Sequence, residues 1–289
     1  MTIAITGATG HLGRLVVAAL LDRGVPPEQI VAVARDTAKA ADLVERGITV
    51  RYGDYDRPDS LVGALAGADR VLLVSGSEVG RRVPQHQAVI EAARQHDVEL
   101  LAYTSIPQAD TTPMRLAAEH RATEQLLRES GLPYALLRNS WYVENYTGQL
   151  ASFLEHGAIL GAAGTGRISG APRADYAGAA AAVLTGEGHE KAVYELGGDE
   201  AFTLAELAAV ISACTGREIG YQDLPVAAFE QALVSAGLPA PVAATFADVD
   251  ACIAAGALHV TTGDLSRLLG RPTTSLRDAV AQAVASYQG

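Results

Sequence analysis

Residues 2–13 read Thr2-Ile3-Ala4-Ile5-Thr6-Gly7-Ala8-Thr9-Gly10-His11-Leu12-Gly13. A short apolar run passes straight into a glycine-rich turn. Leu12, Val16, Ala19 and Leu20 then recur at helical spacing. The order is strand, tight turn, helix, and in that context the glycines predict a dinucleotide-binding loop. Gly7 permits the sharp turn off the strand. Gly10 lets backbone approach a pyrophosphate, and Gly13 lets the helix pack closely on the sheet. The free N–H groups at the helix start face the phosphates, aided by the helix dipole. The spacing is GxxGxxG rather than GxGxxG. The whole stretch Gly7, Ala8, Thr9, Gly10, His11, Leu12 and Gly13 is the candidate cofactor loop.

Beyond the loop, strand and helix alternate. Apolar strands are expected at 30–34, 48–52, 71–75, 100–105 and 134–138, with helices at 37–46, 59–66, 84–96 and 113–130. Short, continuously apolar strands separated by helices imply a parallel sheet covered on both faces. That is a doubly wound α/β architecture of Rossmann type. After Asn139 the rhythm breaks. Residues 141–156 look helical, 159–170 are glycine-rich strand or loop, and 175–184 form an alanine-rich helix. A strand at 192–196 precedes a helix whose start, Thr203-Leu204-Ala205-Glu206, fits a capping box. Further helices are expected at 226–236, at 242–255 and from about Ser275. The expected organisation is a dinucleotide-binding domain over 1–140. A smaller α+β lobe over 141–289 is partly interleaved with it and closes over the cofactor cleft.

The chain has 289 residues, 49% of them hydrophobic, enough to bury a sizeable core. No apolar run reaches the roughly 18 residues of a membrane span, and the first residues carry no basic-then-apolar leader. Twenty-two basic against 33 acidic side chains give a net charge of −11, which opposes non-specific nucleic-acid binding. Two cysteines, Cys214 and Cys252, build neither a disulfide framework nor a zinc site, and a reducing cytoplasm suits them. The histidines show no metal-ligand spacing such as HExxH, and no GxSxG elbow appears.

An NAD site places an acid about 20 residues past the loop, on the ribose 2′-OH. Here the second strand ends Val33-Ala34-Arg35-Asp36. Arg35 at that position suits a 2′-phosphate, and Lys39, one turn on, adds a second positive charge. Asp36 argues the other way unless it caps the helix that follows. Asp54, after the third strand, is either an adenine contact or a turn residue. Ligands of open α/β sheets lie beyond the carboxyl ends of the strands. Ser75, Gly76 and Ser77 are therefore expected to line the cofactor channel, and Thr104 and Ser105 to lie nearer the nicotinamide; ordinary turn chemistry is the alternative for either set.

The catalytic Tyr-x-x-x-Lys pair of many carbonyl reductases is absent: no tyrosine has a lysine four residues later. This argues against a carbonyl reductase or a sugar-nucleotide epimerase. The helix at 113–130 carries Glu119-His120 and Arg121-x-x-Glu124 instead, a mix that reads as a solvated helix face or as acid–base groups. Trp141, Tyr142 and Tyr146, interleaved with Asn139, Glu144 and Asn145, start at the carboxyl edge of the sheet. They suit either a wall for a flat apolar substrate or a packed core helix.

These residues resemble the NmrA-like branch of the atypical short-chain dehydrogenase/reductases, and within it the bacterial NADPH-dependent quinone reductases. The likeness rests on 7–13, Val33-Ala34-Arg35, 75–80, Tyr103-Thr104-Ser105 and above all 137–146. It continues through 161–164, 173–176 and 271–274. The resemblance implies NADP(H) along 7–13, Arg35, Ser75 to Ser77 and onward from Asn139 through Ser140, Trp141 and Tyr142. It implies a small quinone held between that site and the smaller lobe. Absence of the tyrosine–lysine pair is usual in the branch. The branch also contains regulators that bind a dinucleotide without turnover, so an NADP(H) sensor is the alternative. Hydride transfer to a quinone builds a delocalised phenolate, which needs donors rather than a strong acid. Asn145 and Tyr142 are the candidate catalytic donors, with the last proton from water.

Overall fold

The computed structural model describes residues 1–288. Its strands are β1 (Ile3–Ile5), β2 (Ile30–Ala34), β3 (Thr49–Tyr52), β4 (Arg70–Leu73), β5 (Leu100–Ser105), β6 (Tyr134–Asn139), β7 (Ala158–Gly161), β8 (Ala192–Leu196) and β9 (Gly220–Asp223). Its helices are α1 (His11–Asp22), α2 (Ala41–Glu45), α3 (Pro58–Leu65), α4 (Arg82–Gln95), α5 (Ala117–Glu129), α6 (Glu144–Thr147), α7 (Leu150–His156), α8 (Arg173–Thr185), α9 (Leu204–Thr215), α10 (Val226–Ser235), α11 (Ala240–Ala254), α12 (Asp264–Leu269) and α13 (Leu276–Gln288).

Seven strands form one sheet in the order β3-β2-β1-β4-β5-β6-β8. The five pairings from β3 across to β6 are all parallel. The sheet therefore reverses direction of growth at β1, which has β2 on one side and β4 on the other. That reversal is the switch point where open α/β sheets bind ligands. Its strands read as apolar runs because both faces are covered: β1, β2 and β5 are buried at every residue. One face gathers Val31, Val33, Val71, Leu73, Leu101 and Tyr103, alternate residues of adjacent strands, against Leu61, Val89 and Leu127 of α3, α4 and α5.

The chain divides into two compact units. The first comprises Met1–Ala109, Ala118–Asn139 and Arg173–Tyr194. The second comprises Asp110–Ala117, Ser140–Pro172 and Glu195–Gly289. One break between the units falls near residue 140, and 173–194 lies in the first unit. Alanine-rich α8 packs on α1 within the first unit, its small side chains allowing close approach. In the second unit β7 pairs in parallel with β9, and α10 lies against α11. Phe229 of α10 and Ala247 of α11 pack on Ala162 beyond β7.

Two sequence expectations need correction. Residues 141–156 are not one helix: Tyr142 bridges to Ala171 as strand, and the helical path starts only at Glu144. The helix expected from Pro113 begins at Ala117, since Thr112 accepts the Met114 N–H and holds a turn there. The capping box is as expected: Thr203 Oγ1 accepts the Glu206 N–H at 3.1 Å, and Glu206 Oε2 accepts the Thr203 N–H at 2.8 Å.

Candidate functional site

The glycine loop takes the shape its residues dictate. Gly7 has φ +59°, a left-handed turn that favours glycine. A Cβ on Gly13 would strike the Gly7 carbonyl and stand 2.8 Å from Ala8 Cα, so only glycine lets α1 come this close. The Ala8 N–H donates to Val33 O at 3.1 Å, tying the loop to β2. Gly10 is the N-cap of α1; no side chain caps the helix and its first turn holds no acid. The first-turn N–H groups of His11, Leu12 and Gly13 are thus left for an outside acceptor, and the helix dipole favours an anion there. Thr9 is half-buried, Leu12 buried and His11 exposed. These residues fit a dinucleotide pyrophosphate.

At the end of β2 the choice between ribose partners becomes concrete. Asp36 is the N-cap of the 3-10 turn at Thr37–Ala40, and its Oδ1 accepts the Ala38 N–H at 3.2 Å. Arg35 is the exposed group, with 68% of its side chain accessible, and it pairs with Glu78 at 3.4 Å. Lys39 Nζ stands 3.7 Å from Asp36. Asp54 is a turn residue: its Oδ1 accepts the Asp56 N–H at 3.1 Å and its own N–H donates to Ser60 Oγ at 2.9 Å.

The segment after β4 is held from several sides. Ser75 N–H donates to Thr104 Oγ1 at 2.8 Å. Gly76 N–H donates to His86 Nε2 at 2.9 Å, while Arg82 Nε donates to Gly76 O at 2.6 Å. Glu119 Oε1 accepts the N–H groups of Gly80 and Arg82 at 3.0 and 3.3 Å. Because Nε2 of His86 accepts, its proton lies on Nδ1, which donates to Thr123 Oγ1 at 2.9 Å. Burial, with help from the Arg82 charge, pushes His86 down to about 3. His120, whose Nδ1 lies 2.7 Å from Tyr103 Oη, is lowered to about 3 in the same way. Burial pushes the Tyr103 phenol far above its ordinary range, so it stays protonated. Thr104 and Ser105 part company, as successive strand residues must. Thr104 meets Ser75, but the Ser105 hydroxyl donates to Glu124 Oε1 at 2.6 Å. Glu124 also receives Arg138 in a bidentate pair, Nε at 2.9 Å and a guanidinium NH₂ at 2.7 Å.

The solvated-face reading of the helix around residue 120 is therefore overturned: His120 and Glu124 are buried and engaged within the first unit. Sequence reasoning also passed over His86, Arg82 and Glu78. For His86 a signal existed. Gln85, His86, Val89, Ile90 and Ala93 mark one buried helical stripe, so a histidine on that stripe is a core residue.

Of the residues from 139 onward, Asn139 ends β6 and is buried. In the second unit, Ser140 N–H donates to Leu196 O at 2.8 Å. Trp141 O accepts the Ala171 N–H at 3.2 Å, and Ala171 O accepts the Val143 N–H at 3.1 Å. Asn145 N–H donates to Tyr142 O at 3.0 Å, so both candidate donors leave a single turn and are half-buried. Tyr146 is buried, edge-on to Phe202 with ring centroids 6.4 Å apart.

A family model described as NAD(P)H-binding matches residues 7–187. The chain is 50% identical to quinone oxidoreductase 2 of Escherichia coli over 279 residues, 96% of this chain and 97% of that protein. The NADPH complex of the NADPH-dependent quinone oxidoreductase from Escherichia coli superimposes with a TM-score of 0.95 at 49% identity, covering 98% of this chain and all of that one. The NADP(H) complex of triphenylmethane reductase from Citrobacter gives a TM-score of 0.92 at 38% identity, covering 98% and 100%. The chain belongs to the NAD(P)H-binding family.

Proposed function

We propose that this protein is an NADPH-dependent quinone reductase that passes a hydride directly to a small quinone. The observation that carries the reading is likeness over nearly the full chain, 50% identity, to a quinone oxidoreductase, with the glycine loop and Arg35 in place. NADPH, when bound, supplies the hydride from its nicotinamide. The chain's own part begins with the first turn of α1, which receives the pyrophosphate. Arg35, with Lys39 nearby, receives the 2′-phosphate. Ser75, Gly76 and Ser77, rigidly held, form the channel wall, with Thr104 behind them; Asn139, Ser140 and Trp141 continue the cofactor contacts.

The chain lacks the tyrosine–lysine acid pair, and this reaction does not call for one. Two electrons and one proton enter with the hydride, leaving a hydroquinone monoanion whose charge is spread over the ring. Asn145 and Tyr142 donate to the developing oxyanion, and water supplies the second proton. Glu119 and His86 hold backbone N–H groups, His120 is engaged by Tyr103, and Glu124 by Ser105 and Arg138, so none of the four takes part in proton transfer. A reducing, aqueous compartment, the cytoplasm, suits such a protein; no helix among the described residues is long and apolar enough to cross a membrane.

The test is steady-state NADPH oxidation with 1,4-benzoquinone and its methylated relatives. Turnover is expected in the wild type, and Asn145→Ala should lower kcat by about tenfold or more, with NADPH affinity retained. Tight NADPH binding without turnover of any quinone would replace the reductase by a dinucleotide sensor. Unchanged kcat in Asn145→Ala would remove Asn145 from the chemistry.

A further inference from the structure

Arg35 follows β2 and Glu78 follows β4, and between those strands lies β1. Two strand spacings separate their backbones by roughly 9.6 Å. Yet their side chains meet at 3.4 Å. The ion pair therefore reaches across the carboxyl end of β1, where the glycine loop departs. Glu78 has a second partner: its other oxygen, Oε2, lies 3.0 Å from Arg81. Arg81 in turn reaches Asp56, beyond β3, at 2.8 Å, and Gln85 Nε2 donates to that same carboxylate at 3.1 Å. The charges around the expected ribose position thus balance: Arg35, Lys39 and Arg81 against Asp36, Asp56 and Glu78. A 2′-phosphate arriving there meets an arginine that is already partnered.

We propose that Glu78 is a specificity-determining residue: it competes with the cofactor 2′-phosphate for Arg35, and Arg81 is the partner that takes Glu78 when the phosphate displaces it. The inference rests on the reading of Arg35 as the 2′-phosphate ligand. Its logic is one of charge exchange. A dinucleotide without the phosphate leaves Arg35 on Glu78, and its affinity is indifferent to that carboxylate. A dinucleotide with the phosphate must win Arg35 and must sit near the Glu78 charge. Both penalties fall only on the phosphorylated cofactor. Arg81 softens them by holding the displaced carboxylate away. All three side chains are exposed, so the competition is modest and screened by salt.

The experiment is equilibrium titration of the full chain with NADP⁺, NAD⁺, adenosine 2′,5′-bisphosphate and 5′-AMP at low salt, with no turnover in the readout. Glu78→Gln should bind NADP⁺ and the bisphosphate about three- to fivefold more tightly, with NAD⁺ and 5′-AMP unchanged. Arg81→Gln should weaken the phosphorylated pair about twofold or more, since Glu78 then has only Arg35. In the Glu78→Gln background the Arg81→Gln effect should shrink, a coupling that separates displacement of Glu78 from a general charge effect. Equal tightening of all four ligands by Glu78→Gln would make the ion pair a gate and overturn the proposal. Weaker NADP⁺ binding in Glu78→Gln would make Glu78 a support for Arg35 and overturn it too. Arg35→Gln tests the underlying reading separately. If it leaves the NADP⁺ to NAD⁺ ratio unchanged, the role of Arg35 itself fails. If it collapses that ratio while Glu78→Gln has no effect, only the role of Glu78 fails.

Discussion

Two loops in this molecule solve one problem with different chemistry. The segment after β4 in the first unit and the segment after β7 in the second both leave the carboxyl end of a parallel strand. In both, backbone N–H groups that have no ladder partner are taken up by side chains from other elements. After β4 the acceptors are Thr104, the imidazole of His86 and Glu119. After β7, Ala162, Ala163 and Gly164 donate to Asp250 Oδ2, Tyr221 Oη and Asp223 Oδ1 at 2.7, 3.1 and 2.9 Å. The difference lies in what the acceptor does with a proton. An imidazole nitrogen that accepts an N–H cannot also be protonated, so the first loop requires a neutral His86. A carboxylate oxygen can accept whether or not its mate is protonated. Burial, opposed by the Ala162 N–H and aided by Asp223, lifts Asp250 to about 6. One loop is locked by a base that must stay neutral, the other by an acid that titrates near neutrality.

The sharpest way to break this comparison is to delete both acceptors. His86→Ala orphans the Gly76 N–H and removes the donor to the Thr123 hydroxyl, which keeps its own bond to Glu119 O. It also empties a ring site packed edge-on to Tyr103, at 5.4 Å between centroids. A loss of about 3–4 kcal/mol in urea unfolding is expected, with weaker NADPH binding, because the loop loses its anchor. His86→Gln, whose Oε1 reaches the place of Nε2, should recover most of the NADPH affinity even where it recovers less stability. Asp250→Ala orphans one N–H and should lose about 1–2 kcal/mol. A larger loss for Asp250→Ala than for His86→Ala would mean that the second loop, not the first, carries the structural burden.

Acid should move the two loops in opposite directions. His86 and His120 fall from 6.5 in the unfolded chain to about 3 in the fold. Their contribution is full above pH 6.5 and is lost as pH falls toward 3, by at most about 1.4 kcal/mol per pH unit for each group. Asp250 rises from 3.8 to about 6, so the folded chain takes up its proton first. That favours the fold at low pH and disfavours it as pH rises from about 4 to 6, by about 2–3 kcal/mol at most. Amide hydrogen exchange resolves the loops. On going from pH 7 to pH 5, protection corrected for intrinsic rates should fall in peptides covering 75–82 and rise in those covering 161–165. Parallel loss in both would show that whole-chain unfolding dominates and that the acceptor chemistry is not what separates the loops.

How much of this was readable in the chain follows from the range of the contacts. Strands β1, β2, β4, β5 and β6 announce themselves because burial on both faces forces near-continuous apolar runs, and the glycine loop because its turn geometry is local; β3, at the sheet edge, has no buried residue. β9 was not seen: Gly220-Tyr221-Gln222-Asp223 is mostly exposed, pairs only with β7, and shows neither an apolar run nor alternation. The short helix Asp264–Leu269 gave too few residues for a period. Trp141 and Tyr142 lie in a stretch that reads as helical, but their backbone is fixed by Ala171, about thirty residues away in sequence, which leaves no local mark. Candidate-site residues divide the same way. Asp36 as a cap and Arg35 as the exposed cation are local facts. That Glu78 meets Arg35, that His86 meets Gly76, and that Ser105 meets Glu124 are products of topology.

The finest discrimination comes from Asp250→Asn. The amide keeps an oxygen that can accept the Ala162 N–H, so the loop geometry is retained, while the titrating proton is removed. At pH 7 the variant is expected to be about 1 kcal/mol more stable than the wild type, because an ionised carboxylate no longer stands in a buried place with Asp223 nearby. At pH 5, where the wild-type carboxyl is largely protonated, the two proteins should differ little. The rise in protection of 161–165 on acidification should vanish in the variant, and the fall in 75–82 should remain. The groups that face Asp250 are Tyr146, Tyr221 and Asp223. Burial raises the two phenols further from neutrality, so Asp250 is the seat of the expected response. A response of 161–165 that survives Asp250→Asn would show that the Asp250 proton does not drive it and would break the contrast between the loops.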